Sequence, residues 1–245
     1  MTQSVGAVDH LAHLHKQLGA VLAASAEGER EEQLRKAQGV VADLDVWLGV
    51  LRTRGEGRPL STAFREYASA LLLAAMGLYG PAFYGLRHFM EVSLGSVLLS
   101  SNELSLRLWN VGSHDLHWSV TVDDQHGVFS NVFVRAFCEP MVPSALQLGN
   151  VAKKVYRECS EFVHGNPPTT ARLPSTIEFS GQLLDQWLVH ADSANMVVQS
   201  ALTIRYLMSL PSSEVHALDA TVRDNLGHNS AIREFLDRHH EGQLP

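Results

Sequence analysis

Arg157 and His164 are the two residues whose types and spacing most clearly indicate chemistry in this sequence. They lie seven positions apart, so in a helix they are separated by two turns and project from one face. A guanidinium keeps its positive charge and binds phosphate oxygens, whereas an imidazole titrates near neutral pH and can transfer a proton. The pair could therefore bind a phosphate and carry out acid–base chemistry on it.

Further charged side chains share this predicted helix face. Lys153, Arg157 and Glu161 follow each other at four-residue steps, and His164 comes three positions after Glu161. The segment Gly165–Pro168 predicts the end of the helix, because glycine accepts a left-handed cap and proline cannot continue the hydrogen-bond ladder. Such a stripe is also typical of a solvent-exposed face with intrahelical ion pairs, and the sequence leaves both interpretations open.

Arg87 and Glu91 form a second charged pair, one helical turn apart in an otherwise apolar segment. Burying a charge is costly unless the charge is paired, so this spacing favours a structural ion pair inside the helical core. In the alternative interpretation, Arg87 reaches the site of Arg157 and supplies a further contact to phosphate.

The Arg157–His164 segment resembles the signature of the HEPN superfamily of helical nuclease and nucleotide-binding domains. That signature is an arginine followed, after four to six residues, by a histidine near a helix end, and this chain has the longest spacing. The Arg87–Glu91 helix also resembles the arginine-xxx-glutamate helix of bacterial helical proteins with a related segment. Together the two motifs cover roughly Ala63 to Pro168. One departure is Glu158, where active members commonly have a polar residue, often asparagine.

The resemblance implies metal-independent cleavage of RNA without a cofactor. His164 would act as general base or acid on the ribose 2′-hydroxyl and the leaving group, while Arg157 stabilises the charge that builds on the phosphate. The 2′-hydroxyl is then the nucleophile, which restricts the substrate to RNA. The further residues of the implied site bind RNA phosphate or support the motif, and they are Lys153, Arg87, Glu91, Glu161 and Asn166.

The resemblance also implies a biological setting. Members of the HEPN superfamily usually build the site across a homodimer. The resemblance implies a toxin or anti-phage effector, whose activity would be controlled by a regulatory protein partner or antitoxin. The alternative function is a non-catalytic helical module that binds a partner protein or a nucleotide within a bacterial defence or regulatory complex. The acidic net charge of -7 and Glu158 favour this alternative.

A third hypothesis places a metal-dependent hydrolase in the segment 109–127. Its histidines and aspartates include the ligand types of a site with two histidines and one carboxylate. The same residue types are common in loops because they stabilise turns, and that interpretation is the simpler one. The residues concerned are His114, Asp115, His117, Asp123, Asp124 and His126.

The elements that must position these residues are predicted from apolar side chains that recur at three- and four-residue steps. The pattern predicts N-terminal helices over 7–54, a HEPN-like core over about 61–210 and C-terminal helices over 213–240. We therefore expect an all-α fold, a single-domain helical bundle over residues 1–245, with an irregular insertion around 109–127.

Two apolar helices are expected to form the core hairpin of this bundle. The first is predicted from Ser61 as its N-cap through Tyr79, and the second from about Pro81 to Ser100, with Gly80-Pro81 as the interruption. Ahead of them, two glycines and a proline predict an exposed loop over Arg52–Pro59.

Composition restricts the function classes further. The longest apolar stretch, Ala68–Met76, is shorter than the roughly 20 residues that cross a bilayer, so no membrane span is expected. Residues 1–6 lack the layout of a secretory signal, which favours a cytoplasmic protein. Cys138 and Cys159 are too few for a cysteine-based zinc site, and a small buried hydrophobe is the favoured interpretation of Cys159 over a reactive thiol.

Overall fold

The computed structural model of this chain describes residues 6–240, and all of the regular structure in that range is helical. The predicted all-α class is therefore confirmed. The prediction about a secretory signal depends on a segment that, apart from Gly6, lies outside the described residues. The helices are α1 (Ala7–Ser25), α2 (Glu29–Leu51), α3 (Gly57–Ala75), α4 (Tyr79–Leu99), α5 (Glu103–Asn110), α6 (Trp118–Thr121), α7 (Asn131–Cys138), α8 (Val142–Val163), α9 (Pro167–Thr170), α10 (Gly181–Tyr206), α11 (Ser212–Leu226) and α12 (Ser230–His240).

Helices α3 and α4 form the antiparallel hairpin at the centre of the bundle, as their apolar composition predicts. Their aromatic side chains interlock, with the rings of Tyr67 and Phe89 centred 5.1 Å apart and both side chains fully buried. Helix α8 also packs against α4, so the hairpin supports the helix that carries the candidate motif. Among residues 6–240 no helix is both long and apolar enough to cross a membrane.

Helix α10 runs through the middle of the bundle and contacts α2, α4, α7, α8 and α11. It is buried on nearly all sides along its second half, which is typical of a central helix. It also carries polar side chains into the interior: the indole N–H of Trp47 donates a hydrogen bond of 2.7 Å to the side-chain oxygen of Gln199. Two short 3-10 turns, Glu139–Met141 and Leu207–Ser209, extend α7 and α10.

The helix boundaries of the hairpin differ from the prediction. Helix α3 begins at Gly57 rather than Ser61, so the predicted loop shortens to five residues. The helix can include Pro59 because an N–H in the first helical turn has no partner within the helix, and its absence there costs little. The break between α3 and α4 lies at Gly77, whose φ of 80° is accessible to glycine, and not at Gly80-Pro81. Pro81 is the third residue of α4 and is tolerated there for the same reason.

The insertion is irregular over much of its length, as predicted, but it contains the short helix α6 and is anchored to the bundle. Leu116 packs against Gly95 of α4, where an added Cβ would lie 2.7 Å from a Leu116 methyl carbon. The indole of Trp118 stacks on the ring of Tyr156 in α8 at 3.8 Å. Helix α5, which sequence periodicity did not predict, precedes the insertion and is capped by Asn102, whose side-chain oxygen accepts from the Ser105 N–H.

The close approach of α3 and α4 gives a stability prediction. Replacing Gly85 by valine should lower the free energy of unfolding by about 1–3 kcal/mol, because a Cβ at this position would lie 2.8 Å from the Ala70 Cβ. The matched control is Gly39→Val in α2, where no heavy atom lies within 4 Å of an added Cβ, and we expect a change within about 0.5 kcal/mol. Urea unfolding followed by circular dichroism measures both; equal losses would contradict the packing.

Candidate functional site

Helix α8 presents Arg157 to solvent because its opposite side is committed to the core. The side chains that it buries against α4 and α10 recur at helical spacing, while Arg157 and the C-cap residue His164 are both exposed. Seven residues of helix correspond to a rise of about 10 Å between them. Within residues 6–240 neither the guanidinium nor the imidazole has a hydrogen-bond or ion-pair partner. The buried side chains are Ala145, Leu148, Ala152, Val155, Cys159 and Phe162.

The end of α8 is closed by a complete glycine cap, as the sequence predicts. Gly165 has a φ of 65°, its N–H bonds to the Phe162 carbonyl at 3.3 Å, and the Asn166 N–H bonds to the Glu161 carbonyl at 3.1 Å. The Glu161 carboxylate accepts a hydrogen bond of 2.8 Å from the Thr169 hydroxyl, which ties the following turn to α8. Glu161 and Asn166 therefore maintain the helix end at which His164 lies.

The other charges of the predicted stripe bond away from Arg157. Lys153 forms an ion pair with Asp124 of the insertion, and Glu161 bonds to Thr169. No intrahelical ion pair joins Lys153, Arg157 and Glu161 in the described chain. The intrahelical ion pairs of the alternative interpretation therefore do not form, although the face is solvent-exposed at Arg157 and His164, and Arg157 is left as the unpaired cation of the stripe.

Tyr156 separates Arg87 from Glu91, so the predicted direct ion pair between them does not form. An Arg87 Nη donates to the Tyr156 hydroxyl at 2.6 Å, and that hydroxyl donates to a Glu91 carboxylate oxygen at 3.2 Å. The guanidinium also lies 4.8 Å from the centre of the Tyr156 ring, in cation–π geometry. Burial raises the pKa of Tyr156, while the hydrogen bond from Arg87 lowers it, and the net direction is upward.

This arrangement places Arg87 against α8 rather than free in solvent. Its Nε is buried without a hydrogen-bond partner, and Trp118 covers the neighbouring Tyr156 ring. One contiguous group is thus formed by Arg87, Tyr156 and Trp118. Within it, Arg87 of α4 is hydrogen-bonded to Tyr156 of α8, the helix that also carries Arg157. A contact of Arg87 with RNA phosphate stays a prediction.

Sequence reasoning missed the partner of Glu158. One Glu158 carboxylate oxygen lies 2.8 Å from Nε2 of His190 in α10, and His190 is 8% exposed. Nδ1 of the same ring lies 2.7 Å from the Gln186 carbonyl oxygen, which only accepts, so Nδ1 carries a hydrogen. The carboxylate that departs from the family pattern is therefore bound on the α10 side. The only signal in the sequence is a histidine in the middle of an apolar helix.

The insertion does not assemble the metal ligands of the third hypothesis. Within residues 6–240 no group of three or more histidine, cysteine, aspartate or glutamate side chains could hold a metal ion. Asp123 instead accepts the backbone N–H groups of Gln125 and His126, a turn-stabilising role that also lowers its pKa. Asp124 pairs with Lys153, and the rings of His114 and His117 are 6.5 Å apart at their centres.

No protein-family model matches this chain, and no curated protein and no solved structure is significantly similar to it. The resemblance to HEPN domains therefore depends on the motif residues alone, namely Arg157, His164 and the Arg87–Glu91 turn.

The two thiols are predicted to be unreactive in the native protein. Burial raises the pKa of the Cys159 thiol to about 12 and that of Cys138 to about 11, so neither forms the thiolate near neutral pH. At pH 8, Ellman's reagent should react with native protein at least about 100-fold more slowly than with the same protein in guanidinium, where two thiols per chain become available. A fast native reaction of one thiol would support the reactive-cysteine interpretation.

The hydroxyl of Tyr156 is predicted to stabilise the α4–α8 contact. Tyr156→Phe leaves Arg87 and Glu91 without their shared partner, which should lower the free energy of unfolding by about 1–3 kcal/mol. Tyr84→Phe is the control, because its hydroxyl bonds a single backbone carbonyl and the residue is 43% exposed, so a loss below about 1 kcal/mol is expected. A smaller loss for Tyr156→Phe than for Tyr84→Phe, in chemical denaturation, would count against the bridge.

Proposed function

We propose that this protein is a HEPN-like, metal-independent endoribonuclease, with Arg157 and His164 as its catalytic pair. The observation that carries the proposal is that both groups are exposed on one helix, with no partner in the described chain, at a helix end that is closed by its own backbone. Exposed groups without partners are available to a substrate, because no existing hydrogen bond or ion pair has to be broken first.

In the proposed reaction, His164 removes the proton from a ribose 2′-hydroxyl, and the 2′-oxygen attacks the adjacent phosphorus. The bond to the 5′-oxygen breaks, and that oxygen takes up a proton from solvent water, while His164 later returns its proton to solvent. Arg157 binds the non-bridging oxygens and stabilises their charge in the transition state. The products are a 2′,3′-cyclic phosphate and a 5′-hydroxyl. No metal ion takes part. Lys153 would have to release Asp124, and Arg87 would have to release Tyr156, before either could contact the phosphate.

The bound state of Glu158 supports this proposal. A free carboxylate next to Arg157 would repel the phosphate of RNA, but here it lies 2.8 Å from the His190 ring, whose other nitrogen already donates to a carbonyl. A carboxylate that is held by this ring on the α10 side is less available to approach the phosphate beside Arg157.

The proposed setting is a cytoplasmic homodimer that acts as a toxin or anti-phage effector under a regulatory protein partner. Arg157 and His164 of one chain lie about 10 Å apart along the axis of α8. A second copy of the chain could therefore place its own His164 closer to Arg157. The alternative function is a non-catalytic module that binds a partner protein or a nucleotide, and the net charge of -7 favours it, since such a chain has little general attraction for nucleic acid.

Cleavage of RNA in the presence of chelator separates these two functions. Purified protein incubated with labelled RNA and EDTA should yield 2′,3′-cyclic phosphate ends, and Arg157→Ala and His164→Ala should each reduce the rate at least about 100-fold. Matched controls are Arg65→Ala and His88→Ala, which remove exposed side chains of the same types from α3 and α4. Both controls should keep the wild-type rate.

Thermal unfolding of each variant shows whether lost activity reflects a lost fold. All four substitutions remove exposed side chains, so their unfolding free energies should stay within about 0.5 kcal/mol of wild type. Cleavage that survives both Arg157→Ala and His164→Ala would assign the activity to another site or protein. Absence of cleavage in a folded dimer, with retained binding of a nucleotide or a protein, would favour the alternative function.

A further inference from the structure

Helix α1 has more apolar surface than its contact with the bundle uses. Only Val21 and Ser25 of this 19-residue helix are buried, and they point towards the body of the protein. Asp9 and Lys16 mark a separate polar edge. A helix that needed one partner would need one apolar stripe, but α1 has a second stripe that the described chain leaves uncovered.

The second stripe has the spacing of a coiled-coil seam. Its residues alternate three- and four-residue steps over two heptads. Three of its apolar members are exposed, Val8 by 79%, Leu11 by 63% and Leu22 by 37%, while Leu18 is half-buried. Beyond Leu22 the apolar surface continues into a groove of about 370 Å³ between α1, α2 and α3, on whose rim Leu72 is 51% exposed. The stripe consists of Val8, Leu11, His15, Leu18 and Leu22.

We propose that this stripe is the contact surface for a second copy of the chain, with the two α1 helices antiparallel and His15 on their two-fold axis. The two ends of the stripe are equally distant from His15, because Val8 and Leu22 each lie seven positions from it. A two-fold interface requires one surface to be complementary to itself, and a stripe centred on one residue meets that requirement.

Side-chain sizes match across this axis. An antiparallel pair centred on His15 places Leu11 opposite Gly19 of the second copy, and Leu18 opposite Ala12. Each of these two leucines therefore meets a small residue, which allows the helices to approach closely, while Val8 faces Leu22 at both ends of the stripe. Gly19 and Ala12 are both exposed in the single chain, so both positions are free to receive a leucine.

The area involved corresponds to a weak but specific dimer. Covering the exposed part of the stripe, its small neighbours and the rim at Leu72 on both copies removes roughly 1,000 Å² from water, the lower limit for a specific interface. Interfaces of this size are typical of weak and transient complexes, for which a dissociation constant on the order of micromolar is expected. The interface is formed by α1 and the rim at Leu72 and does not depend on Arg157 or His164, so it stands or fails separately from the ribonuclease proposal.

Engineered cysteines test the geometry in the full-length chain, whose own thiols are buried. Under mild oxidation, His15→Cys should give a covalent dimer, because position 15 meets itself at the axis. Val8→Cys should not, because an antiparallel pair separates the two copies of position 8 by about 21 Å. Ala20→Cys, exposed on another side of α1, reports random collisions. Equal cross-linking of the Val8→Cys protein would indicate a parallel pair and overturn the proposal.

Sedimentation equilibrium tests the energetics. Leu11→Glu should raise the dissociation constant at least about tenfold, because it buries one carboxylate per copy in an apolar contact. Ala20→Glu adds the same charge outside the stripe and should leave the constant unchanged. Circular dichroism checks that both variants keep the fold, which we expect since Leu11 is exposed. A wild-type chain that is monomeric at about 100 µM, or a Leu11→Glu variant that dimerises like wild type, would overturn the proposal.

Discussion

The packing of α8 between α4 and α10 is the interaction on which the candidate site depends. Phe162 of α8 stacks on Phe83 of α4 with ring centres 4.0 Å apart, and both side chains are fully buried. The edge of the His190 ring, from α10, meets Phe83 at 5.7 Å, so three helices join at one aromatic cluster. Once these contacts set the rotation of α8 about its axis, Cys159 must point inward and Arg157 must face solvent.

The helical class and the core hairpin could be predicted because apolar periodicity is a local property of the chain. Helix starts are less predictable, since proline and glycine do not interrupt a helix wherever they occur. Pro59 and Pro81 lie in first helical turns, where a missing N–H costs little, and Gly77 provides the real break through its left-handed backbone. Helix α5 was missed because its apolar side chains lie on two faces: Leu106 is buried while Leu104 is 67% exposed.

The candidate site likewise has features that depend on neighbouring residues and features that depend on residues distant in sequence. The helix end at Gly165 follows from neighbouring residues and was predictable. The partners of the charged side chains were not, because they are distant in sequence: His190 is 32 positions from Glu158, and Tyr156 is 69 positions from Arg87. Single-sequence spacing indicates which side chains share a helix face. It contains no information about which neighbouring helix will approach that face, and that approach determines which charges are paired.

The closed end of α8 affects what a ligand must do to engage His164. The Gly165 and Asn166 N–H groups are already bonded to α8 carbonyls, so the backbone around His164 is fixed before anything binds. A ligand that contacts the imidazole restricts only the rotation of one side chain, whereas a histidine in a loose loop would also lose backbone freedom, at about 1–2 kcal/mol per residue. The termination of one helix thus lowers the entropy cost of recognition at its last side chain.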